Sequence, residues 1–219
     1  MRKEQKANYP ESARGAAALL VRMVLEDGAY TNIALNQYLR GSRLSDLDRR
    51  LATELVYGTV KASGTLDWYL AQCVSRPLDK VAGDILAILR ISTYQLLYMT
   101  RIPASAAVNE AVKLARSVSH EGSAKFVNGV LRGLLRKQEA GAFVLPDAEK
   151  QDADYLSLKY YHPRWLVKRW LGPWGCGGTE RLLAFDNTAA PVCLRANTLV
   201  TTRDKLLADL TEMGAQVRA

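Results

Sequence analysis

Residues 109–116, NEAVKLAR, and residues 125–132, KFVNGVLR, carry the reading of the fold. If residues 105–120 are helical, Val108, Ala111, Val112, Ala115 and Val118 follow the i, i+3, i+4, i+7 spacing of a buried stripe, with Asn109, Lys113, Arg116 and His120 on a flanking strip. In residues 124–138 the apolar set is Phe126, Val127, Val130, Leu131 and Leu134, and at about 100° per residue Lys125, Arg132 and Arg136 gather on the opposite side. Two neighbouring helices are expected, each with an apolar seam inside and a cationic ridge outside. Gly129 and Gly133 stand four residues apart beside the second ridge. Each weakens a helix by roughly 1 kcal/mol relative to alanine, a loss that the close approach of another helix would offset.

A lysine or arginine on a helix exterior is ordinarily just a solvated residue. The distribution of charge argues for more. Residues 1–140 hold 20 Lys+Arg against 13 Asp+Glu, whereas residues 141–219 hold 10 against 9, so nearly all of the net charge of +8 sits on the first portion. A polyanion is the expected partner of that portion, nucleic acid first among them.

The 219 residues, 48% of them hydrophobic, suffice for a sizeable core. No window approaches the ~18 consecutive apolar residues of a membrane span, and MRKEQKANYP at residues 1–10 lacks a signal-peptide core. Membrane partners are not expected, and the cytoplasm is the expected compartment. Cys73, Cys176 and Cys193 are odd in number, far apart and never in a CxxC pair, so neither a disulfide framework nor a zinc site is indicated.

Further out from the two motifs, residues 1–140 read as successive helices with short joints. Residues 12–26 are apolar almost all round, a buried helix stopped at Asp27-Gly28. Further helices are expected over about 33–39, from the Ser45-x-x-Asp48 capping pattern to about Lys61, over roughly 65–74, and over 84–100, where Pro103 ends the following turn. An all-α bundle follows. Residues 141–154 carry Pro146 and scattered acids without helical period, and are expected to be a linker. Beyond it, 162–171 and 179–187 read as helices, 192–199 as a strand, 202–213 as a helix stopped by Gly214, and 216–218 as the start of another strand. This β-α-β, RRM-like start makes a small α/β segment of residues 155–219. Parallel strands need a larger sheet to bury both faces, so truncation from a longer protein is expected.

Catalytic equipment is not recognisable. There is no GxGxxG or Walker A loop, and Gly175-Cys176-Gly177-Gly178 follows no expected strand, so it reads as a tight turn. The two histidines, His120 and His162, lie in no metal-binding pattern and near no nucleophile elbow, so no metal and no cofactor are expected in this chain.

NEAVKLAR followed by KFVNGVLR closely resembles the last two helices of NusB-type RNA-binding domains, and ELVYGTV at 54–60 with LDWYL at 66–70 resembles the middle of that fold. YYHPRWLVKRW at 160–170, PVCLRANTL at 191–199 and residues 201–214 resemble the segment joining a NusB-like domain to the catalytic domain in the Fmu/Sun family, the bacterial rRNA small-subunit methyltransferase B proteins. The resemblance runs from about Ser12 to Ala219. It implies a parent protein that transfers a methyl group from S-adenosylmethionine to cytosine C5 of small-subunit rRNA, with a Rossmann-like catalytic domain carrying a proline-cysteine motif. Cys193 follows Val192, not proline, so the nucleophile's role is not carried onto it, and the chain alone is expected to be inactive. What the resemblance does carry over is RNA contact by Arg14, Lys113, Arg116, Lys125, Arg132 and Arg136 in the helical domain, and by Arg195 and Asn197 in LRANTL. Asn109 and Asn128 also match the motif, as contacts or as helix-packing amides. Phosphate contacts position an RNA while exposed bases are read by stacking, for which Tyr9, Trp165 and Trp170 are the candidates.

The leading expectation is the rRNA-binding N-terminal region of a cytosine-C5 methyltransferase, with small-subunit rRNA and the parent's catalytic domain as partners. The alternatives are a NusB-type antitermination protein without enzymology, and a protein-docking module with an acidic partner. A stand-alone NusB needs nothing like YYHPRWLVKRW or LRANTL.

Overall fold

The computed structural model describes residues 8–143, Pro146 and residues 153–218. Nine α-helices and one 3-10 turn, Leu78–Lys80, are found among them, and no β-strand. The chain divides into two compact units, Met1–Ala184 and Phe185–Ala219.

Helix α1 (Ala13–Leu25) begins where the Ser12 side chain accepts a hydrogen bond from Gly15 N at 3.1 Å, satisfying one of the donors that a helix start leaves open. Its buried face is mostly small (Ala13, Gly15, Ala16, Ala17, Ala18), so α3 (Asp46–Ala71) and α4 (Gly83–Tyr98) approach it closely. Helix α2 (Thr31–Gly41) contributes Leu35 to the core. Ser45 caps α3 as its spacing indicates, accepting from Asp48 N at 3.2 Å and donating to the Asp48 carboxylate at 2.7 Å.

Two helices were expected over the span that α3 covers alone. It runs unbroken for 26 residues through Ser63 and Gly64. Thr59, Ala62, Thr65 and Leu66 are all buried around that point, and their packing outweighs the roughly 1 kcal/mol that one glycine withdraws from a helix. Helix α4 is the central element, buried through Ile85–Ile88, Leu89, Ile91 and Thr93. Gly58 lets α3 lie against it, because a Cβ there would strike the Tyr94 ring, which donates to Glu54 at 2.6 Å. Further polar ties cross the bundle: Arg90 holds both oxygens of Asp67 at 2.8 Å, and the Tyr9 hydroxyl donates to Asp84 at 2.5 Å. Helices α5 (Ala104–Val118) and α6 (Glu121–Glu139) complete the bundle, as the two motifs indicate.

Most of the expected linker at 141–154 lies outside the described residues. After it comes α7 (Ala153–Tyr160), which the sequence reading did not anticipate, and α8 (Arg164–Asp186). Thr65 donates to the Leu158 carbonyl at 2.8 Å, fastening α7 to α3. Tyr161, left-handed at φ 61°, sets its ring against Tyr98 at 5.5 Å. Ala153, Tyr155, Leu156, Val167 and Leu183 form a second small core, and Glu180 accepts from Lys159 and Tyr160, both at 2.8 Å. The two helices expected at 162–171 and 179–187 appear as the halves of α8, kinked at Gly175 (φ 62°, ψ 179°) next to Pro173.

In the second unit, α9 (Arg203–Glu212) is capped by Thr202, which accepts from Lys205 N at 3.2 Å. The strands expected at 192–199 and 216–218 are not formed. Residues 191–197 take no regular secondary structure and pair with no neighbour, and a turn follows at 198–200. The β-α-β expectation is corrected on this point, for a strand exists only where a second backbone accepts its hydrogen bonds. Pro191, Val192, Leu194 and Val217 line an open hollow of about 720 Å³ with Leu206, Leu207 and Leu210 of α9.

Candidate nucleic-acid interface

The α5–α6 hairpin presents the cations together because its helices run antiparallel. Arg116 at the end of α5 reaches Glu121 at the start of α6, while Asn109 near the start of α5 lines a groove of about 300 Å³ with Arg132 near the end of α6. The inner seam is Ala107, Val108, Ala111, Leu114 and Ala115 against Ala124, Val127, Val130, Leu131 and Leu134. Val112 and Val118, expected in the seam, are half-buried at its edges.

Lys113, Arg116, Lys125, Arg132 and Arg136 are all exposed. Lys113 donates to Glu110 at 2.8 Å and holds that carboxyl below its ordinary value. Arg116 donates to both oxygens of Glu121, at 2.6 and 3.0 Å; the bond lowers the Glu121 pKa and raises that of Arg116. Lys125 is a further cation within electrostatic reach of Glu121. Arg132 donates to Asn128 at 3.0 Å, so Asn128 orients an arginine on the ridge in place of packing between helices.

Gly129 and Gly133 have no helix against them among the described residues: a Cβ added at either meets nothing within 4 Å. The close approach expected there is therefore absent. The two glycines line an open groove of about 380 Å³ beside Arg136, with Gln72, Cys73 and Lys137.

The remaining expected contacts come from elements other than α5 and α6. Arg14 is half-buried and donates from Nε to the buried Gln95 amide oxygen at 2.9 Å, tying α1 to α4. Arg195 and Asn197 belong to the second unit; Arg195 is exposed, and the Asn197 side chain accepts from Leu199 N at 3.1 Å, shaping the turn. Of the proposed stacking residues, Tyr9 is committed to Asp84, and Trp170 is half-buried near His162. Trp165 is exposed, as is Trp174, which the sequence reading passed over. Glu110 and Glu121 were passed over too. The Glu110–Lys113 pair was legible from its i, i+3 spacing, but Arg116–Glu121 crosses a helix-turn-helix junction and has no periodic signal.

Among the described residues, neither the glycine-rich run nor the cysteines have the setting that a methyl-transfer site needs. Gly175-Cys176-Gly177-Gly178 is a helix kink continuing into helix, not the turn after a strand. Burial pushes the Cys73 thiol up, away from nucleophilic character, while Cys176 and Cys193 are exposed free thiols. No cluster of three metal-ligating side chains occurs among the described residues. Among them, too, no helix is long and apolar enough to cross a membrane.

Residues 11–136 match the model of the NusB family, and residues 162–219 match that of the Methyltr_RsmF/B-like, ferredoxin-like domain. The chain belongs to the NusB family. Its resemblance to the Fmu/Sun methyltransferase B proteins is shown by the same two matches and by its relatives. A Synechocystis sp. protein named "Probable ribosomal RNA small subunit methyltransferase B" is 38% identical over 95% of this chain and 46% of its own length. A Bacillus subtilis protein of the same name is 34% identical over 94% of this chain and 45% of its own. The chain thus spans somewhat under half of these relatives. Among solved structures, PH0851 aligns with 98% of this chain and 47% of its own at a TM-score of 0.66 and 21% identity. Antitermination factors NusB and NusE in complex with dsRNA give 0.53 and 20% over 57% of this chain and 95% of that one. These likenesses show the fold.

Proposed function

We propose that this chain is the rRNA-binding N-terminal region of an S-adenosylmethionine-dependent rRNA (cytosine-C5)-methyltransferase. Residues 1–140 would form the RNA-binding domain, 141–154 a linker, and 155–219 the start of the methyltransferase region. The α5–α6 face holds small-subunit rRNA for a Rossmann-like catalytic domain of the same parent protein, which supplies the methyl-donor site and works in the cytoplasm. The observation that carries this reading is the gathering of Lys113, Arg116, Lys125, Arg132 and Arg136 on one exposed hairpin. The alternative of an antitermination protein without enzymology leaves the match of residues 162–219 unexplained.

Counterion release makes such binding salt-dependent, with a log–log slope of roughly −2 to −5 for about three to five neutralised phosphates. The triple substitution Lys125→Ala, Arg132→Ala, Arg136→Ala leaves the inner seam intact and should lower affinity for structured rRNA about tenfold or more, with a shallower slope. A control triple at Lys3, Lys80 and Arg101 removes the same charge elsewhere. An equal loss from the control would replace a site by net charge alone.

A further inference from the structure

Two of the four tryptophans are engaged and two stand open. Trp68 packs against Tyr69 and Phe143, and Trp170 lies beside His162. Trp165 and Trp174 are 66% and 56% exposed and make no ring contact among the described residues. Leaving two indoles in water forfeits the burial that large aromatic side chains ordinarily gain. Both lie on α8, which also carries exposed cations. Trp165, Lys168, Arg169 and Gly172 recur at i, i+3, i+4 and i+7, so they form one exposed ridge on the first half of the helix. Beyond the kink, Trp174 lies over Gly178, where an added Cβ would sit 3.2 Å from the Trp174 Cβ, and the Arg181 guanidinium lies over Gly177. The acids nearby are occupied: Glu180 accepts from Lys159 and Tyr160, and Asp154 pairs with Arg164. Lys168, Arg169 and Arg181 are in no salt bridge among the described residues, with Lys168 in longer-range attraction to Asp154.

We propose that the exposed ridges of α8 form a second RNA-binding site, specific for an unpaired strand, in which Trp165 and Trp174 stack bases while Lys168, Arg169 and Arg181 neutralise the flanking phosphates. Indole faces next to unpaired cations suit single-stranded nucleic acid, whose bases are free to stack; a duplex keeps its bases stacked inside and offers only phosphates. A hydrophobic protein partner would leave the cations without counterparts. The site rests on the chain being an RNA-binding protein, but uses none of the residues of the α5–α6 face.

The test uses the full 219-residue chain, a fluorescent unstructured oligoribonucleotide and an RNA duplex of equal length. Trp165→Ala and Trp174→Ala should each lower single-strand affinity about tenfold, the loss of one stacked base, and leave duplex affinity within about twofold. Trp165→Phe should restore most of the loss, which separates stacking from a folding defect. Lys168→Ala with Arg169→Ala should reduce the magnitude of the single-strand salt slope by about 1.4. Unchanged single-strand affinity in the tryptophan variants, or equal losses on both RNAs, overturns the proposal. The Lys125/Arg132/Arg136 triple serves as the cross-check. Should it leave duplex binding untouched, the α5–α6 reading fails while the tryptophan result still stands or falls by itself.

Discussion

Lys113, Arg116 and Arg132 on the α5–α6 face are each held by a neighbouring side chain. Arg116 already donates from Nε and Nη2, one edge of its guanidinium, to both oxygens of Glu121, so an incoming phosphate must compete for that edge with a carboxylate that the pairing itself keeps ionised. Exposed pairs of this kind add little to stability. Their effect is on binding. Glu121→Gln removes the competing negative charge and frees Arg116, so RNA affinity should rise several-fold and the salt slope should steepen by up to ~0.9. Titration of the variant across salt concentrations checks this, and weaker binding would show that Glu121 organises the face. Arg14 is conditioned differently: its Nε is tied to Gln95 across two helices.

At the scale of the element, α6 carries both the inner seam and the outer ridge, and the two faces can be changed independently. Leu131 is fully buried and faces the core, whereas Arg132 next to it is exposed. Leu131→Ala should lower stability by about 2–5 kcal/mol through lost burial and the cavity left behind, while the ridge triple should leave the denaturation midpoint nearly unchanged. Urea unfolding of both variants measures the separation. A large stability loss from the triple would mean that the ridge cations also hold the fold. Helix α3 shows how packing overrides local signals, since buried residues on either side of Gly64 keep it continuous.

For the whole molecule, the bundle's polar ties set its response to alkali. The Tyr9, Tyr94 and Tyr98 phenols are all raised above their ordinary value, by burial first and then by hydrogen bonds to Asp84, Glu54 and Tyr161. The unfolded chain releases these protons near pH 10 while the folded chain retains them, so the folded state binds more protons above pH 10 and stability falls as pH rises beyond it. Thermal melting at pH 8 to 11.5 should show that decline, and Tyr9→Phe with Tyr98→Phe should make it shallower. A parallel decline in the double variant would assign the alkaline loss to other groups. The chain by itself should also transfer no methyl group. Incubation with labelled S-adenosylmethionine and small-subunit rRNA checks this, and label in the RNA above a no-protein control would contradict it.

The sequence alone determined the helical bundle and its cationic ridges, because both rest on periodicity within single helices: Val108, Ala111 and Ala115 went inward and Lys125, Arg132 and Arg136 outward as their spacing requires. The Ser45 cap was legible from its Ser-x-x-Asp spacing. Only the tertiary structure decided what depends on partners distant in sequence. It placed Arg14 against Gln95, closed Arg116 onto Glu121, left Trp165 and Trp174 open, and left residues 191–197 without a strand to pair with. A helix satisfies its backbone from within, so local pattern suffices to specify it; a strand, an ion pair or an exposed aromatic face is defined by what the rest of the fold brings beside it.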